Sequence, residues 1–250
     1  MRRTLLLTGA LVLLALPGGA AWAAPAEKPP LAARLTACTT GDQPTSRAAT
    51  FTASMPALRG TRWMSMRFRL LQRRGSKGRY RTVKVPEWAP VERSDPGRSG
   101  FIFTKRVENL LAPAGYKAVV RFRWYDRKGR VQRETRRTTS ACRQPDPRPD
   151  IRVGELSGRV RDRDTAIYEI VVRNDGRGVA DPFGVELRAG GQAAAPIVLG
   201  PLAPGTRELG RIVGPRCSAG EMVTIVVDPA GVVDEASETN NTVRRACPLV

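Results

Sequence analysis

The 250-residue chain contains no histidine. That absence removes Ser-His-Asp and Cys-His nucleophilic catalysis, the common zinc ligand sets and imidazole proton transfer together. Aromatic residues make up only 6% of it. Acidic groups are scarce beside basic ones: 23 Asp and Glu stand against 42 Lys and Arg, a net charge of +19. An anionic partner therefore has to be considered from the outset. Past the amino terminus no apolar run approaches the roughly eighteen residues of a membrane span, so none is expected in the mature chain. The remaining composition, 41% apolar and 26% charged without low-complexity tracts, describes one or two globular domains.

The amino terminus sets the expected compartment. Arg2 and Arg3 precede an uncharged apolar run from Leu5 to Leu16, the breaker Pro17-Gly18-Gly19 and the small residues Ala20-Ala21-Trp22-Ala23-Ala24. This reads as a secretory signal peptide cleaved after Ala23. Its apolar run would span only about 18 Å of helix against a hydrocarbon core of about 30 Å, too short for an anchor. Leu35-Thr36-Ala37-Cys38 has the form of a lipoprotein box, but Glu27, Lys28, Pro29, Pro30 and Arg34 separate it from the apolar run. A structural cysteine is expected at Cys38, and a secreted or extracellular, envelope-associated product.

Three alternate prolines, Pro145, Pro147 and Pro149, favour an extended spacer. The expected organisation is a signal peptide over 1–23, an N-terminal segment over 24–37, a basic domain over 38–143, a Pro-rich linker over 144–149 and a second domain over 150–250. Residues 38–143 hold 25 basic and 7 acidic groups, whereas residues 150–250 hold 12 and 14. The chain's preference for arginine, 36 Arg against 6 Lys, acts on both halves and does not explain this difference.

Both halves carry strand periodicity. Met64, Met66, Phe68 and Leu70 alternate with Ser65, Arg67, Arg69 and Leu71; Tyr116, Ala118, Val120, Phe122 and Trp124 alternate with Lys117, Val119, Arg121, Arg123 and Tyr125. Further strands are expected at 47–54, 79–85, 100–107 and 130–141, with Asp126-Arg127-Lys128-Gly129 closing a hairpin. The second half offers seven: 151–158, 165–174, 183–189, 195–199, 206–213, 221–228 and 241–248. Such density predicts an all-β chain of two β-sandwiches in tandem. Four cysteines allow three pairings. The two within-domain pairs, Cys38 with Cys142 and Cys217 with Cys247, avoid locking flexibly linked domains together, and no C-x-x-C points to redox chemistry.

The second domain resembles the bacterial cell-adhesion-related module CARDB, an immunoglobulin-like sandwich. The resemblance rests on Pro149-Asp150-Ile151-Arg152-Val153, on the run from Tyr168 to Gly176, on Leu202-Ala203-Pro204-Gly205, on Val227-Asp228-Pro229, and on the stretch from Val232 to Asn241 that ends Glu-x-x-Glu-Thr-Asn-Asn. It implies an accessory binding or spacing module without enzymatic activity. Asp228, Asp234, Glu235 and Glu238 with the two asparagines could chelate calcium, but no D-x-D-x-D-G loop is present and capping of turn backbone is the expected role, with no metal or cofactor. In the first domain, Leu110-Leu111-Ala112-Pro113-Ala114-Gly115-Tyr116 resembles the tyrosine corner of immunoglobulin and fibronectin type III-like domains, which implies that residues 62–73 and 116–125 are sheet neighbours.

These readings converge on a secreted, non-enzymatic binding or structural protein of the cell envelope, partnered by an anionic envelope polymer or a surface protein. No small-molecule substrate is expected. A nucleic-acid or anionic-lipid binder is the alternative, although export makes a nucleic-acid role incidental. A carboxylate hydrolase would have to draw on Asp42, Glu87, Glu92, Asp95, Glu108, Asp126 and Glu134. The expected polyanion site is Arg67, Arg69, Arg121 and Arg123 with Trp63 and Tyr125 at its margin; Arg47, Arg59, Arg93 and Arg98 are expected in loops or strand ends. The opposing reading is a basic face that is merely solvated.

Overall fold

The computed structural model describes residues 28–249; the signal peptide expected over 1–23 lies outside them. The chain is all-β and builds two sandwiches, each with its own hydrophobic core. The first comprises β1 (Ala32–Thr39), β2 (Ala48–Pro56), β3 (Trp63–Arg74), β4 (Arg81–Val83), β5 (Glu92–Arg93), β6 (Gly100–Glu108), β7 (Ala114–Tyr125), β8 (Val131–Thr138) and β9 (Cys142–Gln144). One sheet is ordered β1-β2-β6. The other is ordered β4-β3-β7-β8, with β5 also on β3 and β9 also on β7. This is the immunoglobulin-like arrangement of two antiparallel sheets.

The first strand starts earlier than the sequence reading had the domain begin. β1 opens at Ala32, inside the segment expected to precede the domain, and pairs with β2 from Ala32↔Ser54 to Thr39↔Ala48. β9 likewise carries the first sandwich to Gln144, whose amide donates to the Thr39 carbonyl at 3.0 Å. Alternation places Met64, Met66, Phe68 and Leu70 of β3 and Ala118, Val120, Phe122 and Trp124 of β7 inward, against Ala49, Phe51, Ala53 and Met55 of β2. Trp124 satisfies its indole N–H on the Pro56 carbonyl at 2.7 Å.

A second tryptophan closes the core where strand pairing stops. Trp88 ends the 3₁₀ turn Pro86–Trp88, is buried, and meets Phe51 and Phe68 edge-on at 5.8 and 6.0 Å between ring centroids. The tyrosine corner is formed: the Tyr116 hydroxyl accepts from the Leu111 N–H at 2.9 Å, donates to the Leu111 carbonyl at 3.2 Å and accepts from Gln72 at 2.8 Å. Burial raises its pKa.

The second sandwich repeats the topology. It contains β10 (Ile151–Val160), β11 (Thr165–Asn174), β12 (Phe183–Ala189), β13 (Gln192–Ala193), β14 (Ile197–Leu199), β15 (Arg207–Pro215), β16 (Met222–Val227) and β17 (Thr242–Ala246), arranged as β10-β11-β15 against β13-β12-β16-β17, with β14 on β12. Both disulfides are within a sandwich, Cys38–Cys142 and Cys217–Cys247, and no described cysteine is free. The Pro-rich segment is tied to the second sandwich, because Arg148 bonds Asp146 at 2.9 Å and Asp234 at 2.6 Å.

Candidate polyanion-binding face

The outer surface of the β3–β7–β8 sheet carries the basic residues that alternation turns away from the core. Register makes them a cluster: Arg67 lies directly opposite Arg121, and Arg121 opposite Arg136. One row of three guanidiniums thus crosses three strands. Neighbouring strands are about 4.8 Å apart and same-face residues along a strand about 7 Å apart, so Arg69, two residues from Arg67, joins the same patch. Arg67, Arg69, Val119, Arg121 and Arg136 line a hollow of about 230 Å³. Among the described residues, no carboxylate forms a salt bridge with Arg67, Arg69 or Arg121.

Arg123 takes a different role from the one its spacing implied. It lies opposite Glu134 and bonds it at 2.6 Å. That hydrogen bond holds the Glu134 carboxyl below its usual range, helped by the charges of Arg123, Arg121 and Arg136, and it raises the Arg123 pKa in return. Arg136, at 3.7 Å from Glu134, was missed because the register of a third strand does not follow from the alternation of the other two. Trp63 and Tyr125 oppose each other four residues along β3 and β7 from Arg67 and Arg121, outside the lining of the hollow, with their rings stacked at 3.5 Å and 10° between planes. Arg93 covers the other side of Trp63, its guanidinium carbon 4.9 Å from the ring centroid.

Arg47 lies at a strand end, just before β2, but is buried rather than a surface charge. It is 4% exposed, and its guanidinium donates to the carbonyls of Gly41 at 2.6 Å, of Leu110 at 3.4 Å and of Asp42. Arg59 and Arg98 are exposed. Most of the carboxylates open to a hydrolase are engaged as structural partners: Glu92 by Lys105 at 2.5 Å, Asp95 by Arg98, Glu108 by Arg106, Glu134 by Arg123, and Asp126 by the Lys128 and Arg130 backbone N–H groups of the β7–β8 turn.

The acidic stretch of the second sandwich caps backbone. Asp228, in the left-handed region at φ 47°, accepts from the Val232 and Val233 N–H groups at 3.0 and 2.9 Å. Buried Glu235 accepts from the Ile151 N–H and from Asn241 at 2.8 Å, Glu238 accepts from the Glu235 N–H at 3.1 Å, and Asn240 donates to Asp150 at 2.8 Å. Asp234 faces Arg148. The Glu-x-x-Glu-Thr-Asn-Asn run therefore pins the start of β10 to the end of the domain. Burial raises the Glu235 pKa.

Among the described residues no helix is long and apolar enough to cross a membrane. A comparison with curated proteins finds no match. Solved structures similar to the chain include a CARDB domain from Pyrococcus furiosus in complex with di-metal ions, 23% identical over 41% of this chain and 90% of that one, with a TM-score of 0.34. A chaperone–tip adhesin complex of CFA/I fimbriae biogenesis is 9% identical over 86% of this chain and 98% of that one, with a TM-score of 0.27. Chicken CNTN1 FN1–FN3 domains are 14% identical over 88% and 68%, with a TM-score of 0.22. The CARDB family model matches residues 148–245, and the second sandwich is in that respect similar to the CARDB module.

Proposed function

We propose that the chain is a secreted, non-enzymatic binding protein of the bacterial cell envelope, whose first domain holds an anionic polymer on the outer face of β3, β7 and β8 and whose second domain serves as a spacing or adhesion-related module. The observation that carries this is the row Arg67–Arg121–Arg136 with Arg69 beside it, lining a hollow where, among the described residues, no carboxylate is salt-bridged to the first two or to Arg69. Like charges this close repel, and arginine forks suit the paired oxygens of phosphate or carboxylate. Two intradomain disulfides favour an oxidising compartment.

The test is affinity for a phosphate polymer such as wall teichoic acid or polyphosphate. Replacing Arg67, Arg69, Arg121 and Arg136 by serine should cost about tenfold or more, with log affinity falling linearly in log salt. The charge-matched control replaces the exposed Arg59, Arg79, Arg98 and Arg127; Arg47 and Arg93 are unsuitable, the one buried and the other packed over the Trp63 ring. Equal losses in the two variants would mean that net charge alone binds the polymer.

A further inference from the structure

Strands β4 and β5 share one edge of β3 and leave a gap between them. β4 pairs with Leu70–Gln72 and β5 with Ser65 and Met66. Among the described residues, Arg67, Phe68 and Arg69 have no strand partner on that side. The intervening chain leaves the sheet through the Pro86–Trp88 turn, and Pro86 and Pro90 have no N–H to offer a ladder. What remains is a predominantly apolar groove of about 350 Å³, within the range of about 300–1,000 Å³ typical of small-molecule sites. Leu70, Val83, Val85, Pro86, Trp88 and Ala89 help to line it, with Lys84 at its rim. Arg67 and Arg69 line both this groove and the arginine hollow, so the two concavities meet at the same pair of guanidiniums.

We propose that this face takes an anionic amphiphile, with the phosphate or other anionic headgroup between Arg67, Arg69, Arg121 and Arg136 and one alkyl chain in the adjoining groove. The proposal rests on the polyanion reading of the same arginines and narrows it. A sugar-phosphate polymer would neutralise the guanidiniums yet leave the apolar groove in contact with water. A headgroup joined to a hydrocarbon chain satisfies both at once, because each methylene removed from water adds to the affinity. The arginines also fix the polarity of the ligand: the charged end lies toward β7 and β8, and the chain runs along the free edge of β3 toward Ala89.

The experiment is calorimetric titration of the folded protein with monododecyl phosphate below its micellar concentration, inorganic phosphate and dodecyl maltoside. Monododecyl phosphate should bind about thirtyfold or more tightly than either of the others, since only it offers both parts. Ala89→Trp fills the groove from an exposed position and should cost monododecyl phosphate about tenfold while leaving inorganic phosphate within about twofold. Ala89→Phe provides the same blockade should the tryptophan variant fold poorly. Equal affinity for monododecyl phosphate and inorganic phosphate, both lost in the four-arginine variant, would overturn the amphiphile and leave the polyanion reading standing. Equal affinity for monododecyl phosphate and dodecyl maltoside would also overturn it. Absence of binding by any of the anions, the teichoic acid and polyphosphate included, would overturn both.

Discussion

At the residue scale, the distinction that matters is between arginines with a structural partner and arginines without one. Arg47 serves three carbonyls inside the first sandwich, and Arg123 serves Glu134, so neither is available to a ligand. Arg148 belongs to the first group as well, bridging Asp146 and Asp234. Its hydrogen bond to Asp146 is the main reason that this carboxyl titrates below its usual range, with a further contribution from the Arg148 backbone N–H. A lowered folded-state pKa means that the unfolded chain binds more protons in that window, so the stabilisation is present above about pH 4 and is lost as pH falls through the folded value. Asp146→Asn should therefore lower the thermal midpoint at neutral pH. Its difference from wild type should shrink between about pH 5 and pH 2, as followed by circular dichroism. A constant difference across that range would mean that the pair stabilises by packing rather than by charge.

At the scale of the strand, the sequence was legible where one face is buried and the other is not. β3 and β7 alternate cleanly because Met64 to Leu70 and Tyr116 to Trp124 face a core, and their pairing from Trp63↔Tyr125 to Arg74↔Ala114 follows the resemblance to a tyrosine corner. β1 was illegible: Ala32–Thr39 is an edge strand whose small and polar residues are mostly exposed, so no period of two marks it. Trp88 was equally hidden, because a lone tryptophan between Pro86 and Pro90 reads as loop although it fills the core. The exchange of Arg123 for Arg136 in the site has a local cause. A register shift between Trp124 and Tyr125 sets which β8 residues oppose β7, and it brings Glu134 rather than a cation against Arg123. Glu134→Gln should accordingly release Arg123 to the face. Polymer affinity should rise about threefold and the slope of log affinity against log salt should steepen by up to about one charge. An unchanged slope would place Arg123 outside the binding surface even when it is unpaired.

At the scale of the whole molecule, two sandwiches of one topology differ in charge and in their cross-links. Among the described residues the cores do not share a residue and no ladder joins them; the basic groups crowd into the first, while acidic and basic groups nearly balance in the second. Each sandwich also has its own disulfide, with sequence separations of 104 and 30. Calorimetry should resolve two transitions. Replacing Cys38 and Cys142 by serine should lower only one, by about 4.7 kcal/mol on the chain-entropy estimate for a loop of about 100 residues, and replacing Cys217 and Cys247 only the other, by less. A variant that moves both transitions together would show that the sandwiches unfold as one unit.

The bridge between β1 and β9 also decides how the molecule bears tension. A pull along the backbone through the first sandwich enters at Cys38, crosses the sulfur–sulfur bond and leaves at Cys142. The strands between those residues carry none of the load. With a sequence separation of 104, the enclosed chain would lengthen by about 350 Å if it were drawn out. The covalent clip withholds that slack. A chain pulled by its backbone from either side of the two sandwiches would thus yield first in the second, where the bridge spans only the last part of the fold, and would keep the arginine row in register while doing so.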